Sequence, residues 1–242
     1  MEIFWRTIAY YNSATWLLQI VIILIGIVLT ALLICRPRPC VKMGMKFYMI
    51  GLYSWISVIY YYIYCEERSY NGVMAMFWGV MAIIWIWDTI TGYTTFERTH
   101  KYDILSYILL AMPFIYPLVS LARGLSFPEM TSPVMPCSVV VFTIGLLLLF
   151  AHKVNMFLVL FLCHWSLIGL SKTYFFQIPK DFLLASATIP GLYLFFREYF
   201  LNNLHADTKP KAKYINWLLI TVCIGLAILL TTTMFLELVP KN

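Results

Sequence analysis

Charged residues are scarce in this 242-residue chain. Asp, Glu, Lys and Arg make up 12% of the sequence, whereas hydrophobic residues make up 62%. Soluble domains carry about twice that share of charge, roughly 25%. A soluble chain of this length could not cover so much apolar surface with so few polar side chains. We therefore expect one integral membrane domain, residues 1–242, with the lipid bilayer as its solvent.

The sequence motifs of metal sites and of familiar hydrolases are missing as well. The six cysteines are scattered and include no C-x-x-C pair, so the spacing typical of a metal cage is absent. No H-E-x-x-H, G-x-S-x-G or phosphate-binding loop occurs. We expect no cofactor, no metal and no nucleic-acid partner. An enzyme is the less favoured interpretation.

Long apolar runs, by contrast, are abundant. A membrane-spanning helix needs about 20 mostly apolar residues, and eight runs approach this length: 14–35, 47–65, 72–93, 104–122, 134–150, 154–171, 182–196 and 214–239. The runs are continuously apolar and not alternating, which favours helices over a barrel. The seventh run is short and contains Pro190, so seven spans are the alternative. The sequence predicts an all-α transmembrane bundle of about eight spans.

The N-terminus and the loops add two expectations. Residues 4–12 are aromatic and amphipathic, which predicts an N-terminal interfacial helix. If both termini lie outside, the inner loops hold eleven basic residues and the outer segments hold six. Cytoplasmic loops carry such an excess, so this orientation is favoured, and the net charge of +6 is mainly a topology signal. Besides the bilayer, a second membrane protein or a second copy of the chain is the partner to consider.

An acid and a histidine inside predicted spans stand out as candidates. Asp88 is near the inner end of the third, and His164 lies in the sixth. Such residues are costly in a membrane and are candidates for function by default. Asp88 could relay protons, bind a cation or pair with another helix. His164 could carry protons, bind a metal or make one interhelical hydrogen bond. Their estimated depths differ by about 8 Å, so we treat them as a candidate intramembrane polar site.

Prolines and tyrosines mark two further features. Pro113 and Pro117 stand four residues apart in the fourth run, where they distort one face of the helix and either open a cavity or serve packing. The second run ends in four tyrosines, which predict an aromatic belt at the outer interface. They are Tyr60, Tyr61, Tyr62 and Tyr64.

Several short motifs along the chain belong together. They are Tyr11-Asn12 with Trp16 and Gln19, Gly124-Leu125-Ser126-Phe127-Pro128, Met135-Pro136-Cys137, Phe142-Thr143-Ile144-Gly145-Leu146-Leu147-Leu148, His164-Trp165 and Asp181-Phe182-Leu183. In this order they resemble the uncharacterised bacterial membrane family filed as domain of unknown function 6064. The chain departs from the family pattern at Leu17, where a Pro is expected, at Phe127, where a Tyr is expected, and at Ser138, where a second Pro is expected.

The resemblance implies a multi-pass protein of the bacterial inner membrane and brings no activity with it. It draws attention to the outer half of the fifth and sixth spans, where Cys137, Thr143, Trp165 and Asp181 form a candidate outer-side pocket; a purely structural feature is the alternative. Gly145 is expected to let another helix approach. The favoured function is a carrier or channel-like protein for a small solute or ion. An accessory or scaffold subunit that needs a partner comes second, and an intramembrane enzyme third.

Overall fold

The computed structural model describes residues 2–66, 70–98, 100, 102–122, 124–150 and 153–176, together with 190, 191 and 193. This part of the chain is helical, as predicted, and contains no strand. Its elements are α1 (Glu2–Cys35), α2 (Pro39–Trp55) with a π-helical continuation (Ile56–Tyr64), α3 (Asn71–Thr91), α4 (Asp103–Ala122), α5 (Pro136–Phe150) and α6 (Met156–Phe176).

Three of these helices are long and apolar enough to cross a membrane: Trp5–Cys35, Asn71–Thr91 and Asp103–Ala122. Pro136–Phe150 and Met156–Gly169 are apolar but shorter. The chain is therefore an α-helical protein suited to a membrane, but the figure of about eight spans is not supported. The described helices occupy the first six predicted runs. The last two, at 182–196 and 214–239, lie outside the described residues except for 190, 191 and 193.

The predicted interfacial helix at 4–12 is not a separate element. α1 continues through 34 residues without a break. No proline or glycine precedes Gly26, so nothing in the backbone interrupts the helical hydrogen bonds. Ile8 and Tyr11 in its first turns are buried, because they pack onto the rest of the protein. The N-terminal stretch is thus the beginning of the first long helix.

An aromatic core joins α2, α3 and α6. The rings of Tyr53 and Trp78 stack with their centroids 5.1 Å apart, and Trp78 meets Trp165 edge-on at 5.1 Å. Tyr61 in the π-helical segment contacts Trp165 edge-on at 6.3 Å. Edge-on and offset arrangements are the favoured geometries of aromatic pairs. The rings fill the space between these helices.

The tyrosines at the end of the second run divide between this core and the surface. Tyr60 and Tyr61 are each 4% exposed, whereas Tyr62 is 68% exposed. Tyr60 meets Tyr11 of α1 edge-on at 5.0 Å. The predicted interfacial belt is therefore wrong for Tyr60 and Tyr61, because the π-helical segment directs both of these consecutive rings into the protein.

Gly145 sets the distance between α4 and α5. A Cβ at this position would lie 2.9 Å from Cβ of Leu109 and 3.1 Å from the backbone nitrogen of Leu110. Small residues let helix backbones approach in membranes, and the expectation that Gly145 does so is confirmed. α5 is buried along nearly its whole length, so it is the central helix of the described bundle.

Candidate functional site

Asp88 lies near the C-terminal end of α3, fully buried, and its charge is paired. Lys46 of α2 donates from Nζ to Asp88 Oδ2 at 2.9 Å and to the Asp88 carbonyl at 3.1 Å. Thr94 donates to Asp88 Oδ1 from its backbone N–H at 3.0 Å and from its hydroxyl at 2.7 Å. Both carboxylate oxygens are therefore engaged by groups of the protein itself.

The end of α3 explains why these groups meet. Gly92 has a φ of 65° and its N–H donates to the Asp88 carbonyl at 2.9 Å, an arrangement typical of helix C-termini. The Lys46 ammonium is favourable there because carbonyl groups at a helix C-terminus carry partial negative charge. Thr94 Oγ1 also accepts the N–H of Asn155 at 3.2 Å. The network thus fastens α2, α3 and the α5–α6 connection together.

Lys46 is the residue of this network that the sequence did not indicate. The basic bias assigns Lys46 to an inner loop, as one of the eleven inner basic residues, but it is buried within α2. Its neighbours Met45 and Phe47 are apolar, and a lysine between apolar residues next to a span is the signal that was available.

Among the described residues His164 forms no hydrogen bond with Asp88, whose carboxylate is bound by Lys46 and Thr94. The His164 ring packs on the ring of Phe77, with centroids 5.9 Å apart. Phe77 precedes Asp88 by eleven residues on α3, about 16 Å of helical rise. The estimated depth difference of about 8 Å rests on residue counts from the ends of spans, which ignore how helices are offset. His164 Nε2 is buried without a hydrogen-bond partner in the described part of the protein.

The four residues of the predicted outer-side pocket have different surroundings. Asp181 lies outside the described residues. Cys137 is half-buried in the first turn of α5, six residues before Thr143, or about 9 Å of rise. Trp165 belongs to the aromatic core.

Thr143 contacts the same core through a hydrogen bond. It is fully buried and accepts from the Tyr53 hydroxyl at 2.9 Å, while its own hydroxyl donates to the Val139 carbonyl at 2.7 Å. Tyr53 stacks on Trp78, which contacts Trp165. The described residues therefore connect Thr143 and Trp165 through aromatic rings, and rings occupy the space between them.

A polar stripe on α1 holds the α4–α5 connection in place. Asn12 Nδ2 donates to the carbonyls of Pro128 at 2.8 Å and Met130 at 2.7 Å. Gln19 Oε1 accepts a hydrogen bond from the Ser132 hydroxyl. The two segments that carry much of the family resemblance, at the N-terminus and before α5, are therefore in contact.

The sequence alone does not indicate this role of α1. It marks Asn12 and Gln19 only through the family resemblance and gives no sign of a role for Thr15. All three are buried, and Gln19 Nε2 donates to Thr15 Oγ1 at 2.8 Å. Spacings of three and four residues place them on one helix face, and that spacing was the available signal.

An apolar groove of about 250 Å³ lies between α1 and α4. α1 packs on α2 and α4 packs on α5, which leaves the gap. The residues that line it are Ile23, Gly26, Ile27, Thr30, Ala31 and Ile34 of α1, Tyr48 and Leu52 of α2, Leu110, Pro113 and Phe114 of α4, Pro133 and Val134 before α5, and Val139 and Phe142 of α5.

The local sequence explains the shape of this groove. The six residues of α1 recur at spacings of one, three and four and so share one face of the helix. A Cβ at Gly26 would lie 2.9 Å from Cζ of Tyr48, so the glycine leaves room for this ring. On the opposite wall stands Pro113, which lacks a backbone N–H and disturbs the helix. Of the two roles considered for the prolines, Pro113 takes part in lining a cavity.

The groove opens sideways and contains little that is polar. Ile27 and Phe114, one from each bordering helix, are 47% and 43% exposed. α1 and α4 are both long and apolar enough to cross a membrane, and in that placement the opening would face lipid. Thr30 Oγ1 is buried without a hydrogen-bond partner in the described part of the chain. The groove can therefore accept an apolar or amphipathic molecule from the membrane.

No cluster of three or more His, Cys, Asp or Glu side chains that could hold a metal ion occurs within the described ranges. A family model described as "Family of unknown function (DUF6064)" matches residues 1–206, which confirms the resemblance. No curated protein and no solved structure matches the chain significantly.

Proposed function

Because the chain belongs to this family of unknown function, we propose its function from the groove: a multi-pass protein of the bacterial inner membrane that binds and carries a small apolar or amphipathic solute. The observation that supports this is the apolar groove between α1 and α4, with a volume of about 250 Å³. Small-molecule sites are mostly apolar with few polar groups, and they occur between the helices of bundles. The groove has this composition and this location.

Access and release fit a carrier of such solutes. A molecule dissolved in the bilayer reaches the groove sideways, between Ile27 and Phe114. α4 contains both Pro113 and Pro117, and sharp bends of helices occur at prolines. A change of bend at this position would widen or narrow the groove, because Pro113 lines it.

An ion path draws less support from the described residues. Asp88 is engaged by Lys46 and by Thr94, so a cation would have to displace partners that the protein already provides. His164 lies beside Phe77 and does not join Asp88. Of the solutes considered, a small apolar or amphipathic molecule is therefore the favoured one.

The proposed topology has eight spans with both termini outside. The six described helices would be followed by spans at 182–196 and 214–239, and the basic residues would then divide eleven inside to six outside. In this arrangement the Lys46–Asp88 pair lies near the cytoplasmic face and the Asn12 contacts lie near the outer face.

A second candidate is an accessory subunit that binds a partner membrane protein. α1 supports it, because one long face of this helix is apolar and exposed, including Leu17, Val21, Leu24 and Val28. Bilayer lipid would cover the same face in a carrier. The exposed face of α1 therefore does not distinguish a carrier from an accessory subunit. The two differ in whether the groove binds and releases a solute.

The test begins with ligand-dependent stabilisation. Purified protein is screened in detergent for amphipathic compounds that raise the Tm; a ligand at 100 times its Kd stabilises by about 2.7 kcal/mol. Ala31→Phe places a ring in the groove, whereas Val28→Phe places one on the exposed face of the same helix. The proposal predicts that Ala31→Phe abolishes the stabilisation and Val28→Phe keeps it.

Transport is then measured with the stabilising compound. Protein reconstituted into vesicles should exchange labelled for unlabelled compound, and the Ala31→Phe variant should not. Binding without exchange would favour the accessory subunit. A compound whose stabilisation is equal in both variants does not bind in the groove, and the proposal would then lose its support.

A further inference from the structure

We infer that the groove between α1 and α4 holds one acyl chain of an anionic phospholipid from the inner leaflet, whose phosphate binds to Arg36 and Arg38. This inference rests on the proposed function and names the class of molecule that the groove takes. Three observations carry it: the length of the groove's α1 wall, its sideways opening and the position of these arginines at its inner end.

The α1 wall of the groove is about as long as one leaflet is thick. On α1 the lining residues extend from Ile23 to Ile34, which corresponds to about 16 Å of helical rise. The hydrocarbon core of a bilayer is about 30 Å thick, so one leaflet contributes about 15 Å. A single acyl chain of the inner leaflet would therefore have an apolar wall along α1 for its whole length.

The sideways opening suits a lipid better than a molecule from the aqueous phase. The exposed side chains of Ile27 and Phe114 border the opening, and both belong to helices that can cross the membrane. A chain can enter here without leaving the hydrocarbon phase, while its headgroup stays at the interface.

Two arginines, Arg36 and Arg38, lie at the end of the groove where the lipid headgroup would be. Ile34 is the last α1 residue of the groove wall, and α1 ends one residue later, at Cys35. The Arg36 N–H donates to the Leu32 carbonyl at 2.7 Å, which keeps Arg36 in the last turn. Arg38 immediately precedes α2.

Both arginines are available for an anion. Arg36 and Arg38 are exposed, and neither takes part in the ion pairs of the described residues. The planar guanidinium matches a phosphate with two parallel hydrogen bonds. Each basic residue near an anionic lipid surface raises binding about fivefold, so two should produce a preference of about thirtyfold for an anionic over a zwitterionic lipid.

The experiment counts bound lipids by native mass spectrometry. Delipidated protein in detergent receives equal amounts of palmitoyl-oleoyl phosphatidylglycerol and palmitoyl-oleoyl phosphatidylcholine, which share their acyl chains and differ in charge. The expected result is one retained phosphatidylglycerol per protein, preferred about thirtyfold. Ala31→Phe should lose the retained lipid, and Val28→Phe, which adds the same ring outside the groove, should keep it.

The charge is tested separately on the exposed arginines. The double variant Arg36→Gln with Arg38→Gln should keep one bound lipid but lose the preference. Lys153→Gln, which removes an exposed charge away from the groove, should keep the preference. Because these residues are exposed, the double variant gives a result even if Ala31→Phe fails to fold.

The remaining outcomes separate the inference from the function on which it rests. If both lipids were retained equally and Ala31→Phe lost them, the preference for an anionic headgroup would be overturned. Binding in the groove would still be supported. Equal retention in Ala31→Phe and Val28→Phe would overturn the groove as the binding site and the proposed function with it. A preference that survives in the arginine double variant would overturn the phosphate site. If the protein retained no lipid, the inference that a lipid occupies the groove would be overturned. A copurifying polypeptide bound in place of lipid would overturn it as well.

Discussion

Lys46 Nζ and Asp88 Oδ2 lie 2.9 Å apart, and neither side chain is more than 8% exposed. The pair joins α2 to the end of α3 at a place where a single charge would be costly. A buried ion pair often adds little net stability, but removal of one partner leaves the other charge uncompensated. Asp88, which the sequence presents as an isolated acid, is thus half of a structural pair.

Lys46→Met should destabilise the protein by about 3 to 5 kcal/mol, because Asp88 would remain buried without its cation. The double variant with Asp88→Leu should recover much of this loss, because both charges are then gone. The loss is read from Tm values in detergent. Lys42→Met, one helical turn earlier and only half-buried, should change the Tm little. Equal Tm values for Lys42→Met and Lys46→Met would refute the structural role of the pair.

Asn12→Ala should destabilise the protein by about 1 to 3 kcal/mol, because the Pro128 and Met130 carbonyls lose a buried donor. The neighbouring Ser13→Ala is the matched control: within the described part of the chain its exposed hydroxyl donates to the Ala9 carbonyl of its own helix. Limited proteolysis of the α4–α5 connection, together with the Tm, measures the effect. If Asn12→Ala were cleaved no faster than Ser13→Ala, the connection would not depend on α1.

Gly145→Ala should destabilise by about 1 to 3 kcal/mol, because the new methyl group would force α4 and α5 apart. Gly51→Ala is the control, since a Cβ there meets nothing within 4 Å; this change should be neutral or slightly favourable, as alanine is the better helix former. Thermal unfolding of both variants in the same detergent gives the comparison. A tolerated Gly145→Ala would contradict the close approach of the two helices.

Reporter fusions placed after Asn242 and within 209–213 should lie on opposite sides of the membrane. The reason is the basic bias, which places the loop inside and the C-terminus outside. A reporter that is active only in the periplasm and one that is active only in the cytoplasm, each fused at both positions, provide complementary signals. The eight-span proposal fails if both positions report the same side.

Composition and continuous apolar runs were enough to predict a helical membrane protein. A backbone in hydrocarbon must satisfy its own hydrogen bonds, so runs of this kind have few alternatives to the helix. The six described helices accordingly lie where the runs are. Local chemistry also indicated Gly145, because a side chain of one hydrogen atom permits a close approach whatever the partner helix is.

Partners between distant residues could not be derived in the same way. An acid inside an apolar run marks Asp88 as costly, but nothing in its sequence neighbourhood points to Lys46, which lies 42 positions away. The depth of His164 depended on the offset between helices, and the burial of Tyr60 and Tyr61 depended on a π-helical segment. The sequence by itself determined that this protein is helical and suited to a lipid bilayer, because both properties follow from local apolar content. Tertiary structure alone decided which polar groups pair and where a groove stays open, because these depend on how rigid helices pack against one another.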